Sequence, residues 1–203
     1  MSERKIITAL QVSLDGLIEG PAGEVDWIEN WDDPFDVLPE IDTCILGGGM
    51  YPGYESYWRS ILADPNGVVP LTGRRPSGDE VAYARFADRT PHVVLSKTLD
   101  RVHWETARIA RDVEEIRELK RQPGKNIHAV GGASLVSSLM NEGLVDEIRM
   151  TVHPLVLGRG KPLFKDVHNR HPLEFVDSQP LSSGRVNLVY QVATDESRAA
   201  PAP

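Results

Sequence analysis

The stretch IHAVGGASLVSSLM, residues 127–140, restricts the choice of folds more than any other part of the chain. An apolar run ends at Val130, two glycines follow, and Leu135, Val136, Leu139 and Met140 then recur at the spacing of one helix face. The segment reads as a strand, a tight turn and a helix that begins at Ala133 and ends near Gly143. Gly131 and Gly132 permit backbone angles closed to other residues, and the turn aims unbonded N–H groups at one point. Together with the helix dipole, those groups favour an anion such as phosphate. The same pattern also serves as a ligand-free turn, and two glycines alone do not separate the two uses.

The same architecture recurs upstream. IDTCIL (41–46) is a short apolar strand that ends on Gly47, Gly48, Gly49 and Met50. A helix follows through Tyr54, Tyr57, Trp58 and Ile61, and Pro65, Asn66 and Gly67 stop it. Two glycine-gated crossovers at strand ends point to one crevice, although the glycines also suit a plain turn and the aromatics a plain core. Further strands are expected at residues 5–12 and 92–96, and a helix capped by Asp112 and Glu115 is expected to run to Pro123 and Gly124. Residues 63–80, rich in Pro, Gly and Arg, read as a surface excursion. Near the end, Ile148, Met150 and Val152, and likewise Val186, Leu188, Tyr190 and Val192, alternate with more polar residues as half-buried strands of an antiparallel edge do. One α/β domain over residues 1–193 is expected, with a disordered tail over 194–203.

Composition narrows the partners. A formal net charge of −8 disfavours nucleic acid, whose binding rests on clustered Lys and Arg. No apolar run reaches the ~20 residues of a bilayer helix, and the opening MSERKIITALQV reads as a strand rather than a leader, so a cytoplasmic protein acting on a small molecule is expected. The single cysteine, Cys44, excludes a disulfide framework and a zinc deaminase site of the P-C-x-x-C type. His168 and His171 have ligand-compatible spacing but lack a third ligand, and no metal is expected. His128 reads as a core residue. Ser96 and Lys97, at the end of a strand, place a hydroxyl and an ammonium where a phosphate could lie, or form a solvated strand end. Arg159 and Lys161 suit either an anionic substrate or an exposed loop.

Five motifs in order, TALQVSLDGLI, LGGGMY, VVLSKTL, HAVGGASL and HPLVLGRGKPLF, resemble the dihydrofolate reductase-like family, most of all the C-terminal reductase domain of bacterial bifunctional deaminase-reductase proteins of riboflavin synthesis. The resemblance runs from about Lys5 to Tyr190. It implies a mostly parallel eight-stranded α/β sheet with helices on both faces and an antiparallel C-terminal edge, NADPH as hydride donor, a pyrimidine- or pterin-like substrate and a homodimer. It places Gly131, Gly132, Ala133, Ser134 and Leu135 at the pyrophosphate, Ser96 and Lys97 at the adenosine 2′-phosphate, and Ala9 and Ile18 at the nicotinamide. Gly47, Gly48, Gly49 and Met50 complete the cofactor side. Gly48 and Met50 stand where the family usually has Arg and Thr, which removes a cation and a hydroxyl that Lys97, Arg101 or Arg74 would have to replace. Asp15, in SLDG, and Asp33, with its neighbours Asp32 and Asp36, are the candidate proton donors, and loop roles are the competing reading for each. Two other readings of the same chain are a nucleotide-binding protein without turnover and a flavin enzyme on the same fold.

Overall fold

The computed structural model of the protein describes residues 3–28, 31, 35–181 and 183–193. Among these, eight strands form one sheet: β1 (Ile6–Ser13), β3 (Ile41–Gly47), β4 (His92–Leu95), β5 (Ala107–Ala110), β6 (Asn126–Gly131), β7 (Glu147–His153), β9 (Leu173–Pro180) and β10 (Val186–Val192). They lie in the order β5-β4-β3-β6-β1-β7-β10-β9, and β2 (Leu17–Glu19) pairs apart from them with β8 (Lys161–Pro162). All pairings from β5 across to β7 are parallel, and β10 runs antiparallel to both β7 and β9. This is the expected α/β architecture with its antiparallel C-terminal edge.

Alternation along the central strands divides the core into two layers, because successive side chains leave a strand on opposite faces. Ile6 and Val12 of β1 and Ile45 of β3 join Ile116 and Leu119 of α3 (Glu114–Arg121) and Leu135, Val136 and Leu139 of α4 (Ala133–Asn141). On the other face, Cys44 and Leu46 of β3 meet Tyr54, Tyr57 and Trp58 of α1 (Tyr51–Ala63) and Tyr83 and Ala84 of α2 (Gly78–Arg89). Burial pushes the Cys44 thiol pKa far up, so the group acts as a small apolar side chain.

Three elements depart from the sequence expectation. The segment read as an excursion over 63–80 ends in the cap of α2: the Ser77 hydroxyl accepts from the Glu80 N–H at 3.1 Å, and the Glu80 carboxylate returns to the Ser77 N–H at 2.8 Å. The helix expected from Asp112 begins at Glu114, yet Asp112 does accept from the Glu115 N–H at 3.1 Å. Of the two late strands, β7 is an inner strand parallel to β1, and the edge belongs to β9, which carries no alternation because all eight of its residues are exposed. The expected tail beyond residue 193 lies outside the described residues. No helix among the described residues is long and apolar enough to cross a membrane.

A buried histidine ties α1 to β4. His92 Nδ1 lies 2.7 Å from the Thr90 carbonyl, which can only accept, so Nδ1 carries the proton and Nε2 accepts from the Tyr54 hydroxyl at 3.2 Å. The ring stacks on Trp104 at 5.0 Å, and burial pulls its pKa down to about 4. The unfolded chain protonates this ring below about pH 6.5, whereas the folded one resists until about 4. Stability is therefore full above that window and falls as pH drops through it, by about 3 kcal/mol from this group. Urea unfolding at stepwise pH from neutral to 4 should show this decline, with a shallower slope in His92→Gln.

Candidate functional site

β3 and β6 are adjacent and parallel, but the helices that follow them leave toward opposite faces of the sheet, α1 on one side and α4 on the other. Such a divergence opens a crevice at the carboxyl ends of the two strands. The structure has a cleft of about 790 Å³ there, lined by Gly47, Gly48, Gly49 and Met50 after β3, Ser96 and Lys97 after β4, and Gly132, Ala133, Ser134 and Leu135 after β6, with Ile18 opposite. The sequence candidates on three separate loops are thus brought to one place.

The two helices that start at this cleft differ from the other two. α1 and α4 have no acidic residue in the first turn and no side-chain cap, and α4 is preceded by Gly132. By contrast, α2 carries Asp79 and Glu80, and α3 carries Glu114 and Glu115. The positive ends of α1 and α4 therefore remain available to an anionic group, where the other two are offset by their own carboxylates. Gly131 itself does not line the cleft. It lies behind the turn at φ +128°, with a cis peptide to Gly132, and a Cβ added to it would lie 2.9 Å from Leu10 Cδ2.

The departure at Gly48 has a steric counterpart. A Cβ at this position would lie 2.3 Å from Ser96 Oγ, so Ser96 fills the space where a longer side chain would begin. Ser96 is held there by N–H groups of Thr98 (3.3 Å) and Leu99 (3.0 Å), both donating to its hydroxyl oxygen. Lys97 lies in the cleft, exposed, and among the described residues no carboxylate pairs with it. The other two proposed substitutes for the family's Arg do not reach the site: Arg74 makes a two-pronged pair with Glu80, and Arg101 lines a separate shallow pocket beside Tyr51. Arg111 is a cleft cation that sequence reasoning missed. Its Nη1 donates to the carbonyls of Ser96 (3.1 Å) and Leu99 (2.8 Å), which fixes it beside Lys97. It directly follows β5, a four-residue strand too short to recognise by pattern, yet a residue at that strand end belongs at the ligand edge of a parallel sheet.

A second cavity of about 220 Å³ adjoins the cleft, and Leu10, Gln11, Trp31 and Met50 line both. Ala9 lies here rather than in the cleft, with Phe35, Tyr54, Tyr57, Trp58, Tyr83 and His128. Glu80 braces this wall from behind. Its fully buried carboxylate accepts from the Tyr57 hydroxyl at 2.8 Å and from the Trp31 N–H at 3.2 Å, beside its pair with Arg74. Burial alone would raise its pKa, but the Arg74, Ser77 and Tyr57 hydrogen bonds outweigh this and hold it at about 2.

Asp15 has a different place from the one its candidacy as proton donor required. It lines neither cavity, and its carboxylate accepts from the Ser13 hydroxyl (2.7 Å) and the N–H groups of Leu157 (3.2 Å) and Gly158 (2.8 Å). The Ser13 bond first, then that of Gly158, holds its pKa below the ordinary range, which favours the ionised form and a loop-fastening role. Asp33 and Asp32 lie outside the described residues, and Asp36 is exposed at φ +50°. Lys161 reaches the cleft but pairs with Glu19 at 2.6 Å, while Arg159 is exposed. Among the described residues, no three His, Cys, Asp or Glu groups gather as metal ligands.

Gly131→Ala tests the turn. The positive φ and the approach to Leu10 should together cost about 1–3 kcal/mol in urea unfolding, whereas Gly49→Ala, where a Cβ meets nothing within 4 Å, should cost less than half as much.

Comparison with known proteins agrees with this geometry. The uncharacterised protein YyaP of Bacillus subtilis is 39% identical over 193 residues, 94% of this chain and 96% of its own. Among solved structures, a protein named for riboflavin biosynthesis from Shewanella sp. PV-4 superposes with a TM-score of 0.65 at 19% identity, covering 94% of this chain and 99% of that one. Dihydrofolate reductase from Enterococcus faecalis, in complex with NADP(H), gives 0.59 at 15% identity, covering 94% and 97%. The family model of the RibD C-terminal domain matches residues 4–186, and the chain belongs to that family.

Proposed function

We propose that the protein is an NADPH-dependent reductase of a small, planar, pyrimidine- or pterin-like substrate. The observation that carries this reading is the direct opening of the glycine-lined cleft, with its two uncapped helix N-termini, into an aromatic pocket through Leu10, Gln11, Trp31 and Met50. The reductase families of the structural relatives, one of them in complex with NADP(H), support it.

NADPH, when bound, supplies a hydride to the substrate. The chain's own part is to bind, orient and exclude water. The N–H of Gly49 and those of Ala133, Ser134 and Leu135 would receive the pyrophosphate, and Lys97 with Arg111 would receive the 2′-phosphate. Ala9 and Ile18 flank the nicotinamide end, and Leu10, Trp31 and Met50 keep the junction apolar. Trp31 and Phe35 both line the pocket and bracket Asp33 in sequence, which retains Asp33 as the candidate acid. Edge strand β9 exposes Phe175 (62%) and Val176 (49%), and self-pairing of such a strand about a two-fold axis is the proposed homodimer contact.

Titration with NADPH and NADH, followed by loss of reduced-nicotinamide absorbance with candidate substrates, tests the reading. Lys97→Ala and Arg111→Ala should each weaken NADPH about tenfold and leave NADH nearly unchanged. Equal loss for both nucleotides would remove the 2′-phosphate assignment, and tight NADPH binding without turnover on any substrate would favour a nucleotide-binding protein instead. Light scattering on Phe175→Glu should show a monomer where the unaltered protein shows a dimer.

A further inference from the structure

Polar and apolar residues alternate along β7 as if the polar ones faced water, yet the polar ones are buried. Thr151 is 0% exposed and His153 5%, while Met150 and Val152, on the opposite face, are only partly covered. The buried polar face continues across the sheet, since Thr151 is in register with Gln11 of β1 and Asn187 of β10, and His153 with Ser13. Gln11, Ser13 and Asn187 are buried as well. Such a row is unfavourable unless hydrogen bonds satisfy it. The Thr151 hydroxyl donates to Asn187 Oδ1 at 2.8 Å, and His153 Nε2 lies 2.8 Å from Gln11 Oε1.

The second of these bonds sets a direction. An amide oxygen only accepts, so His153 donates from Nε2. The oxygen and nitrogen of an amide leave the same carbon on different sides, so a hold on Oε1 turns the two N–H groups of Gln11 away from His153. Trp27 packs edge-on against the His153 ring, with centroids 5.0 Å apart and planes at 85°, which restrains the ring in turn. Gln11 lines both the cleft and the smaller cavity, and the other described residues shared by the two are Leu10, Trp31 and Met50. Neither Leu10 nor Met50 has a side chain that donates a hydrogen bond, so the Gln11 amide gives this junction a donor of fixed direction.

We propose that Gln11 is a specificity-determining residue whose amide N–H meets a hydrogen-bond acceptor on the substrate ring, a carbonyl oxygen or an unprotonated ring nitrogen, and that His153 positions it. The proposal rests on the reading above in taking this junction as the place where the ring and the nicotinamide meet. It sets no limit on charged groups carried elsewhere on the substrate. Calorimetric titration of the full chain with quinoxaline and naphthalene tests it, without nucleotide and with saturating NADP⁺, which reduces neither probe. The two probes share one shape and differ in ring nitrogens, and quinoxaline is uncharged near neutral pH. Quinoxaline should bind the unaltered protein at least as tightly as naphthalene, although it is the better hydrated of the two.

Gln11→Glu keeps the oxygen that His153 holds and exchanges the N–H donors for an acceptor, so it separates the two uses of the residue. It should move the affinity ratio about tenfold toward naphthalene, as should Gln11→Leu, whereas His153→Phe, which leaves the donor but not its direction, should move it about threefold. A purely structural pair would change stability and leave the ratio alone. An unchanged ratio in Gln11→Glu therefore overturns the specificity role, and an unchanged ratio in His153→Phe overturns the positioning role. Shifts seen without nucleotide but lost with NADP⁺ would give the amide to the cofactor and overturn its assignment to the substrate. Failure of both probes to bind under either condition overturns the proposal. The same shifts in a protein that does not bind NADPH would sustain it and overturn the cofactor reading alone.

Discussion

The pairing of β3 with β6 is the constraint on which the rest depends. The two strands lie side by side and parallel, so their carboxyl ends finish together, yet the chain leaves β3 for one face of the sheet and β6 for the other. The turns that lead into α1 and α4 then border one space from two sides. If the following helices left on the same face, they would pack against each other and close the gap. The glycines matter because they let both crossovers begin without side chains in that space. Gly47 makes the point quantitatively, since a Cβ there would already be in van der Waals contact with the Leu135 Cβ at 3.5 Å.

The aromatic wall depends on a second arrangement, the bracing of α1 against α2 by groups that the cavity does not show. A buried carboxylate is ordinarily unfavourable, and Glu80 is tolerated because Arg74, Tyr57 and the N–H groups of Ser77 and Trp31 satisfy its oxygens. The same network turns the Tyr57 hydroxyl away from the pocket and fixes the backbone at Trp31, a residue shared by both cavities. On the far side of the wall, neutral His92 does the corresponding work for Tyr54. Polar chemistry behind the wall thus leaves an apolar surface in front of it.

Much of this was legible in the residues. The Val-Gly-Gly-Ala and Leu-Gly-Gly-Gly-Met turns stand out because strand and helix periodicities meet at them, and each lies where the pattern placed it. Arg111, β5, β9 and α2 were not legible, for three reasons. β5 is only four residues long, β9 is exposed on both sides and so shows no alternation, and α2 starts inside a Pro- and Gly-rich stretch whose one helical signal is the Ser77 and Glu80 pair. Asp15 was misleading in another way. A carboxylate before a glycine near a cleft has the right chemistry for an acid, but the loop that captures it arrives from Leu157 and Gly158, far away in sequence.

The sequence by itself determined the inner strands of the sheet, the positions of the glycine turns and the net negative charge, since each depends on local periodicity, backbone freedom or composition. Only the tertiary structure decided which charges reach the cleft. Lys97 and Arg111 do, while Arg74 and Arg101 do not. It also decided that Gly48 faces a serine side chain where a longer residue would have to begin, and that the tyrosines offer carbon rather than oxygen to the neighbouring pocket. The physical reason is that a side chain's role is set by the partner that takes its polar atoms, and those partners sit on other elements, six residues away for Arg74 and 23 for Tyr57.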